Sequence, residues 1–204
     1  MKKKIIGLVV CILLFIYFIG GVIYNFVIDK SIENNINEVK TSNTIRYYNY
    51  LLYEDDLDIY VSEFDKLKKN LESEEINYKE YAYSISKMFL IKIYSLGNLD
   101  NKYDVKGTEF IYPDAVENFK LNITNTLNKY VEDNSDNNRK QELPIVKSVN
   151  IVSDEKVTFK IDEKELDAYK IQAEIDYEKD LDYDKKAELI IVKDDKYLYI
   201  VEKN

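Results

Sequence analysis

The residues of this chain best suited to chemistry are carboxylates and tyrosines, because it contains no histidine. Without imidazole, the commonest general base and the commonest metal ligand are missing. The one cysteine, Cys11, falls inside an uninterrupted apolar run. The rest of the chain therefore has no disulfide, no thiolate nucleophile and no cysteine metal site. Glu174 and Asp176 lie two residues apart in an alternating stretch and share one strand face, opposite Ile171, Ala173 and Ile175. Acid/base work needs burial to shift a carboxyl pKa, and this face is expected to be solvated. Asp180, Asp182 and Asp184 alternate as a calcium-binding cluster would. A calcium loop of the helix-loop-helix kind also requires a central glycine, which is missing here. No catalytic residue, metal site or cofactor is assigned.

Tyrosine dominates the aromatic content, with 19 Tyr against 8 Phe and no Trp. Tyr169 and Tyr177 lie on an apolar strand face, and Tyr81 and Tyr130 on apolar helix stripes. These four either line a ligand pocket with their hydroxyls or belong to the core with each hydroxyl reaching a partner at its rim. Apolar stripes mark packing more often than pockets, which weighs toward the core. Asn122-Ile123-Thr124 fits a glycosylation pattern, but its position in the middle of a helical stretch makes it a chance match.

The elements that position these residues begin with an anchor. Ile5 to Ile28 contains no charged residue. As a helix it spans about 36 Å, against about 30 Å of membrane hydrocarbon. Lys2, Lys3 and Lys4 precede it, so the positive-inside rule predicts a cytoplasmic N-terminus with residues 29 onward outside the cell. A cleaved signal peptide would have a shorter apolar core and a small-residue cleavage site. Removing those three lysines from 29 basic residues leaves 26 against 38 acidic ones, a net of −12. Such a domain is a poor partner for nucleic acid or for an anionic lipid surface. Heavy use of Lys, Asn, Ile and Tyr suits an AT-rich bacterial genome.

Residues 29–54 read as a membrane-proximal helical segment, with Tyr47, Tyr48, Tyr50 and Tyr53 around Leu51 and Leu52, and Asp55-Asp56 as a cap for the next helix. Leu57, Tyr60, Val61, Phe64, Leu67 and Leu71 recur at helical spacing. Asn77 with Glu80 forms a capping-box pattern opening a helix through Tyr81, Ile85, Met88, Phe89 and Ile93, stopped by Gly97. Pro113 sits at a first helical position, and Val116, Phe119, Ile123, Leu127 and Tyr130 predict a helix over 113–132. Residues 133–142 are a polar break. The period then changes to two: Val157 to Ile161, Tyr169 to Tyr177, Ala187 to Ile191, and Leu198 with Ile200. Asp154-Glu155, Asp182 and Asp194-Asp195 are placed in turns. The segments 164–178 and 184–193 are expected to be the longest pair. The expectation is an α+β domain over residues 55–204, with about three helices on a curved four-stranded antiparallel sheet. One apolar face per strand leaves the other face wet or paired with a partner.

This order of elements, with the hairpin of residues 164–193, resembles the nuclear-transport-factor-2-like superfamily. With the anchor before it, the chain looks like the membrane-anchored scaffold subunits of type IV secretion and conjugation machines. The stretches Asp104 to Thr108, Tyr112 to Asp114 and Arg139 to Pro144 are similar to segments of clostridial membrane proteins without assigned activity. The superfamily implies sheet-mediated dimers, a pocket between sheet and helices and, in enzyme members, an Asp-His or Tyr-Asp pair. The missing histidine departs from that pattern. The expected function is a membrane-anchored extracytoplasmic scaffold or protein-interaction module of a bacterial cell envelope, binding a protein partner or itself, and not an enzyme. The alternative is a small-molecule binding or sensing domain with a pocket between helices and sheet.

Overall fold

The computed structural model describes residues 41–45 and 47–204. The apolar run Ile5 to Ile28 and residues 29–40 lie outside the described residues, and no described helix is long and apolar enough to cross a membrane. Residues 41–204 form one unit. It begins with a short antiparallel hairpin, β1 (Thr41–Thr44) and β2 (Leu51–Tyr53). Helices α1 (Asp58–Leu71), α2 (Tyr78–Tyr94) and α3 (Val116–Asn125) follow, with three short 3-10 turns around the connections. Strands β3 (Val146–Ile161), β4 (Lys164–Tyr177), β5 (Lys186–Asp194) and β6 (Tyr197–Lys203) then form an open antiparallel meander in sequence order. The unit is α+β, with three helices and a four-stranded sheet.

Three local expectations about residues 41–130 are corrected. Within residues 41–53 the chain is a β-hairpin and not a helix, because Tyr50 and Leu52 turn inward at strand spacing to join the core. Asp55-Asp56 does not cap α1: the cap position is Leu57, without a side-chain bond. Asp56 instead serves the hairpin, since its Oδ2 accepts the Tyr53 N–H at 2.9 Å. The third helix stops at Asn125, and residues 126–130 form turns. Asn77 does cap α2, its side chain accepting from the N–H groups of Lys79 and Glu80.

Helix α2 is the centre of the unit. It packs against α1 on one side and against β3 and β4 on the other. Tyr81, Ile85, Met88 and Phe89 have no exposed surface, and Ile171, Leu189 and Ile191 meet them from the sheet. Phe110, from the loop before α3, stacks on Tyr50 at 5.5 Å and meets Phe89 edge-on at 6.4 Å. Helix α3 is peripheral and buries only Ile123. Arg139 ties down the polar break by donating to the carbonyls of Gly97, Leu99 and Glu132.

The longest strand pair is β3 with β4, not β4 with β5. Asp154-Glu155 lies inside β3, and the turn is Asp162-Glu163. Asp162, and Asp195 in the turn between β5 and β6, adopt positive φ, a conformation that a short polar side chain tolerates. Gly97 is not the left-handed stop expected of it. α2 ends at Tyr94, and a Cβ on Gly97 would come within 2.6 Å of the Ile145 side chain. Gly107 is the left-handed glycine, with φ 82°, and its missing Cβ would meet Phe89 at 3.1 Å and Ile93 at 3.2 Å. Gly107→Ala combines strain with a core clash and is expected to cost about 1–3 kcal/mol in urea unfolding. Gly97→Ala meets the movable end of one side chain and is expected to cost less. An equal loss for both would remove the role given to φ at Gly107.

Candidate functional site

The four tyrosines singled out by sequence go to different places. Tyr81 is fully buried; its hydroxyl lies 2.6 Å from that of Tyr50 and accepts the Leu198 N–H at 3.3 Å. Burial pushes its phenol far above the usual range. Tyr169 packs in the same core. Tyr177, half-buried at the edge of that core, donates to the Asp184 carbonyl at 2.6 Å. Tyr130 is 76% exposed, because the turns after Asn125 break the helical period that placed it on the stripe. The first three are packing residues, and Tyr130 is separate from them.

The carboxylates are at the surface. Glu174 and Asp176 are exposed on the outer sheet face, Glu174 3.8 Å from Lys186 and Asp176 accepting from Ser148 at 2.9 Å. Asp180 pairs with Lys185 at 2.6 Å, and Asp182 occupies a left-handed turn position. The Asp184 carboxylate receives the Tyr94 hydroxyl at 3.5 Å. Among the described residues, no group of three or more acidic or cysteine side chains is placed to hold a metal ion.

A buried ionic cluster, not foreseen from sequence, joins the hairpin to the helices. Lys92 of α2 pairs with Asp56, their side chains 11% and 6% exposed. The Lys92 ammonium also sits 4.2 Å from the ring centre of Tyr60 and 5.4 Å from that of Tyr53. Burial pushes the Tyr60 hydroxyl well above the usual phenol value, and the neighbouring Glu109 and Asp56 carboxylates add to the rise. Glu109 stands beside this group. Desolvation raises its carboxyl pKa, against the pull of the Lys92 and Lys106 charges. The signal available in sequence was a lysine on the apolar side of α2, which requires an acid nearby.

The second unforeseen feature is the outer sheet face. Leu166, Ala168 and Val192 are buried there, surrounded by half-buried Val157, Phe159, Ile161, Ile190, Tyr199 and Tyr112. The strands therefore carry apolar residues on both faces at this end, where one face was expected. The uninterrupted runs Leu189 to Val192 and Tyr197 to Val201 are the sequence signal of two-sided burial. Tyr112 meets Tyr199 edge-on at 5.7 Å, and Lys164 pairs with Asp194 at 2.5 Å along the rim. Toward the other end, the same face holds a hollow of about 350 Å³ lined by Val152, Gln172, Glu174, Lys186, Glu188 and Asn204 among others.

No family model matches the chain, and no curated protein or solved structure matches it. No functional residue is carried over from any relative.

The ionic cluster generates two expectations. Lys92→Met leaves Asp56 buried without its cation and is expected to cost about 3–5 kcal/mol in denaturant unfolding. Glu109 gives a pH dependence of definite sign. Its folded pKa is raised, so the folded state holds the proton more tightly than the unfolded chain. That contribution is complete below the ordinary glutamate pKa and is lost as pH rises through the raised folded value. Glu109→Gln is expected to flatten this decline in Tm against pH. An unchanged slope in the variant would show that another group carries it.

Proposed function

We propose that the chain is a membrane-anchored extracytoplasmic protein-interaction module that acts as a scaffold in a bacterial cell-envelope assembly. The apolar run Ile5 to Ile28, with Lys2 to Lys4 before it, supports the anchor and its orientation. The observation that carries the interaction is the outer sheet face, where half-buried Val157, Phe159, Ile161, Ile190 and Tyr199 form one apolar area on the side away from the helices. Contiguous apolar surface rimmed by polar groups marks a protein contact. The hollow at Gln172 and Glu174 favours a second reading, small-molecule binding on the same face. It is partly open to solvent, which holds a drug-sized ligand poorly.

Cross-linking in intact cells tests the first reading. The wild-type chain is expected to give a discrete cross-linked product from outside the membrane. Ile190→Ser and Tyr199→Ser together are expected to weaken that product about tenfold or more, as loss of a central contact does. Each change, away from the deep core, is expected to shift stability by about 0.5–1.5 kcal/mol. An unaltered product in a folded double variant would detach the interaction from this face. Protease treatment of intact cells checks the topology, since residues 29 onward should be accessible.

A further inference from the structure

The sheet has two edges, and they are treated differently. On β6, Ile111 bridges Ile200 in parallel and the Tyr112 N–H donates to the Ile200 carbonyl at 3.1 Å, so the loop before α3 occupies the middle of that edge. On β3, no described strand pairs with the outer edge, although the strand is 16 residues long and the longest in the sheet. Of its residues only Val146 and Val149 are buried. A register irregularity between Ile151 and Ser153 divides it, and from Ser153 to Ile161 the strand runs regularly beside β4. An unpaired edge of this kind is a template for another strand.

Resting on the reading of the chain as an interaction module, we propose that β3 pairs antiparallel with β3 of a second copy about a two-fold axis at Val157. Two four-stranded sheets then become one continuous sheet. Charge selects this partner. Strand β3 carries Lys147, Lys156 and Lys160 against Asp154 and Glu155, a net of +1, whereas residues 29–204 carry −12. Pairing here joins two acidic domains at a strand that is not acidic.

The register follows from the same charges. Centring the axis on Asp154, Glu155 or Lys156 sets that residue opposite its own copy. Centring on Thr158 sets Lys156 against Lys160 and Asp154 against Asp162. Centring on Phe159 sets Glu155 against Glu163. Like charges directly opposite destabilise a strand pair. Centring on Val157 brings no like charges together and sets Asp154 opposite Lys160 of the second copy, twice. Lys79 and the Tyr83 hydroxyl both engage Asp154 at Oδ1, so Oδ2 is the oxygen that meets the incoming lysine. On the outer face Val157 then meets its own counterpart, while Phe159 and Ile161 lie opposite Glu155 and Ser153 of the second copy.

The test uses the full chain in membranes with Cys11→Ser, so that an introduced cysteine is alone. Residues directly opposite across an antiparallel pair have Cα atoms about 4.5–5.5 Å apart, within disulfide reach. Val157→Cys is expected to oxidise to a dimer of twice the chain mass, and Thr158→Cys and Glu163→Cys to remain mostly reduced. Val157→Lys sets two ammonium groups opposite each other. It is expected to weaken the dimer tenfold or more by light scattering in detergent, with circular dichroism unchanged. A dimer that forms without cross-linking at residue 157 overturns the β3 pairing and leaves the interaction module standing. A monomer with no cross-link also overturns it, and the cell cross-linking described above then reports separately whether another protein is the partner. Cross-linking to a chain of different mass overturns the second-copy assignment.

Discussion

Helix α2 is apolar on nearly every side, and that constraint organises the unit around it. Tyr81, Ile85, Met88, Phe89 and Ile93 point into the core, but so do Ala82, Leu90, Ile91 and Tyr94. A helix of this composition has no face to give to water and has to be covered all round. Strands β3 and β4 cover one side and α1 another. Tyr50 from the hairpin and Phe110 from the loop before α3 add to the enclosure. Burying a large side chain such as Phe89 is worth several kcal/mol, more than any surface contact in the unit can return. The hairpin and the loop are held in place because α2 needs them.

The same constraint explains why Lys92 is where it is. A lysine on such a helix is drawn toward the interior with the rest of the turn, and its charge has to be met there. Asp56 and the rings of Tyr53 and Tyr60 meet it. Asp56 holds the end of β2 through the Tyr53 N–H as well, so a single carboxylate fastens the hairpin to α2.

Much of the architecture was legible in sequence where one physical signal dominated. The period of Leu57 to Leu71 gave α1, and Asn77 with Glu80 gave the start of α2. Alternation gave the antiparallel meander. The misreadings share a cause. Tyr47 to Tyr53 fits a helical spacing and a strand spacing about equally, and only the core decides between them. Tyr130 belongs to a helical stripe on paper, but the backbone leaves the helix at Asn125 before that stripe is complete. Asp154-Glu155 looks like a turn because paired acids are common there, yet Lys79 and Tyr83 from α2 engage Asp154 in mid-strand. In each case the wider structure outweighed a local preference. The outer apolar face was visible in the runs Leu189 to Val192 and Tyr197 to Val201. An alternation template counts only every second residue and passes over such runs.

What these contacts leave over is as informative as what they use. The inner sheet face is consumed by α2, and the middle of the β6 edge is occupied by Ile111 and Tyr112. The Glu174 and Asp176 carboxylates stand in water, without the burial that acid/base work requires. Among the described residues, one corner of the sheet combines outer-face apolar side chains with a strand edge that no described strand occupies. Val157, Phe159 and Ile161 belong both to the outer apolar face and to the strand whose edge no described strand occupies. A strand that pairs with the edge lies beside the apolar row, and a partner that covers the apolar row approaches the edge. Backbone hydrogen bonds would fix the direction of such a contact and side chains its register, which is the division of labour that makes strand addition specific.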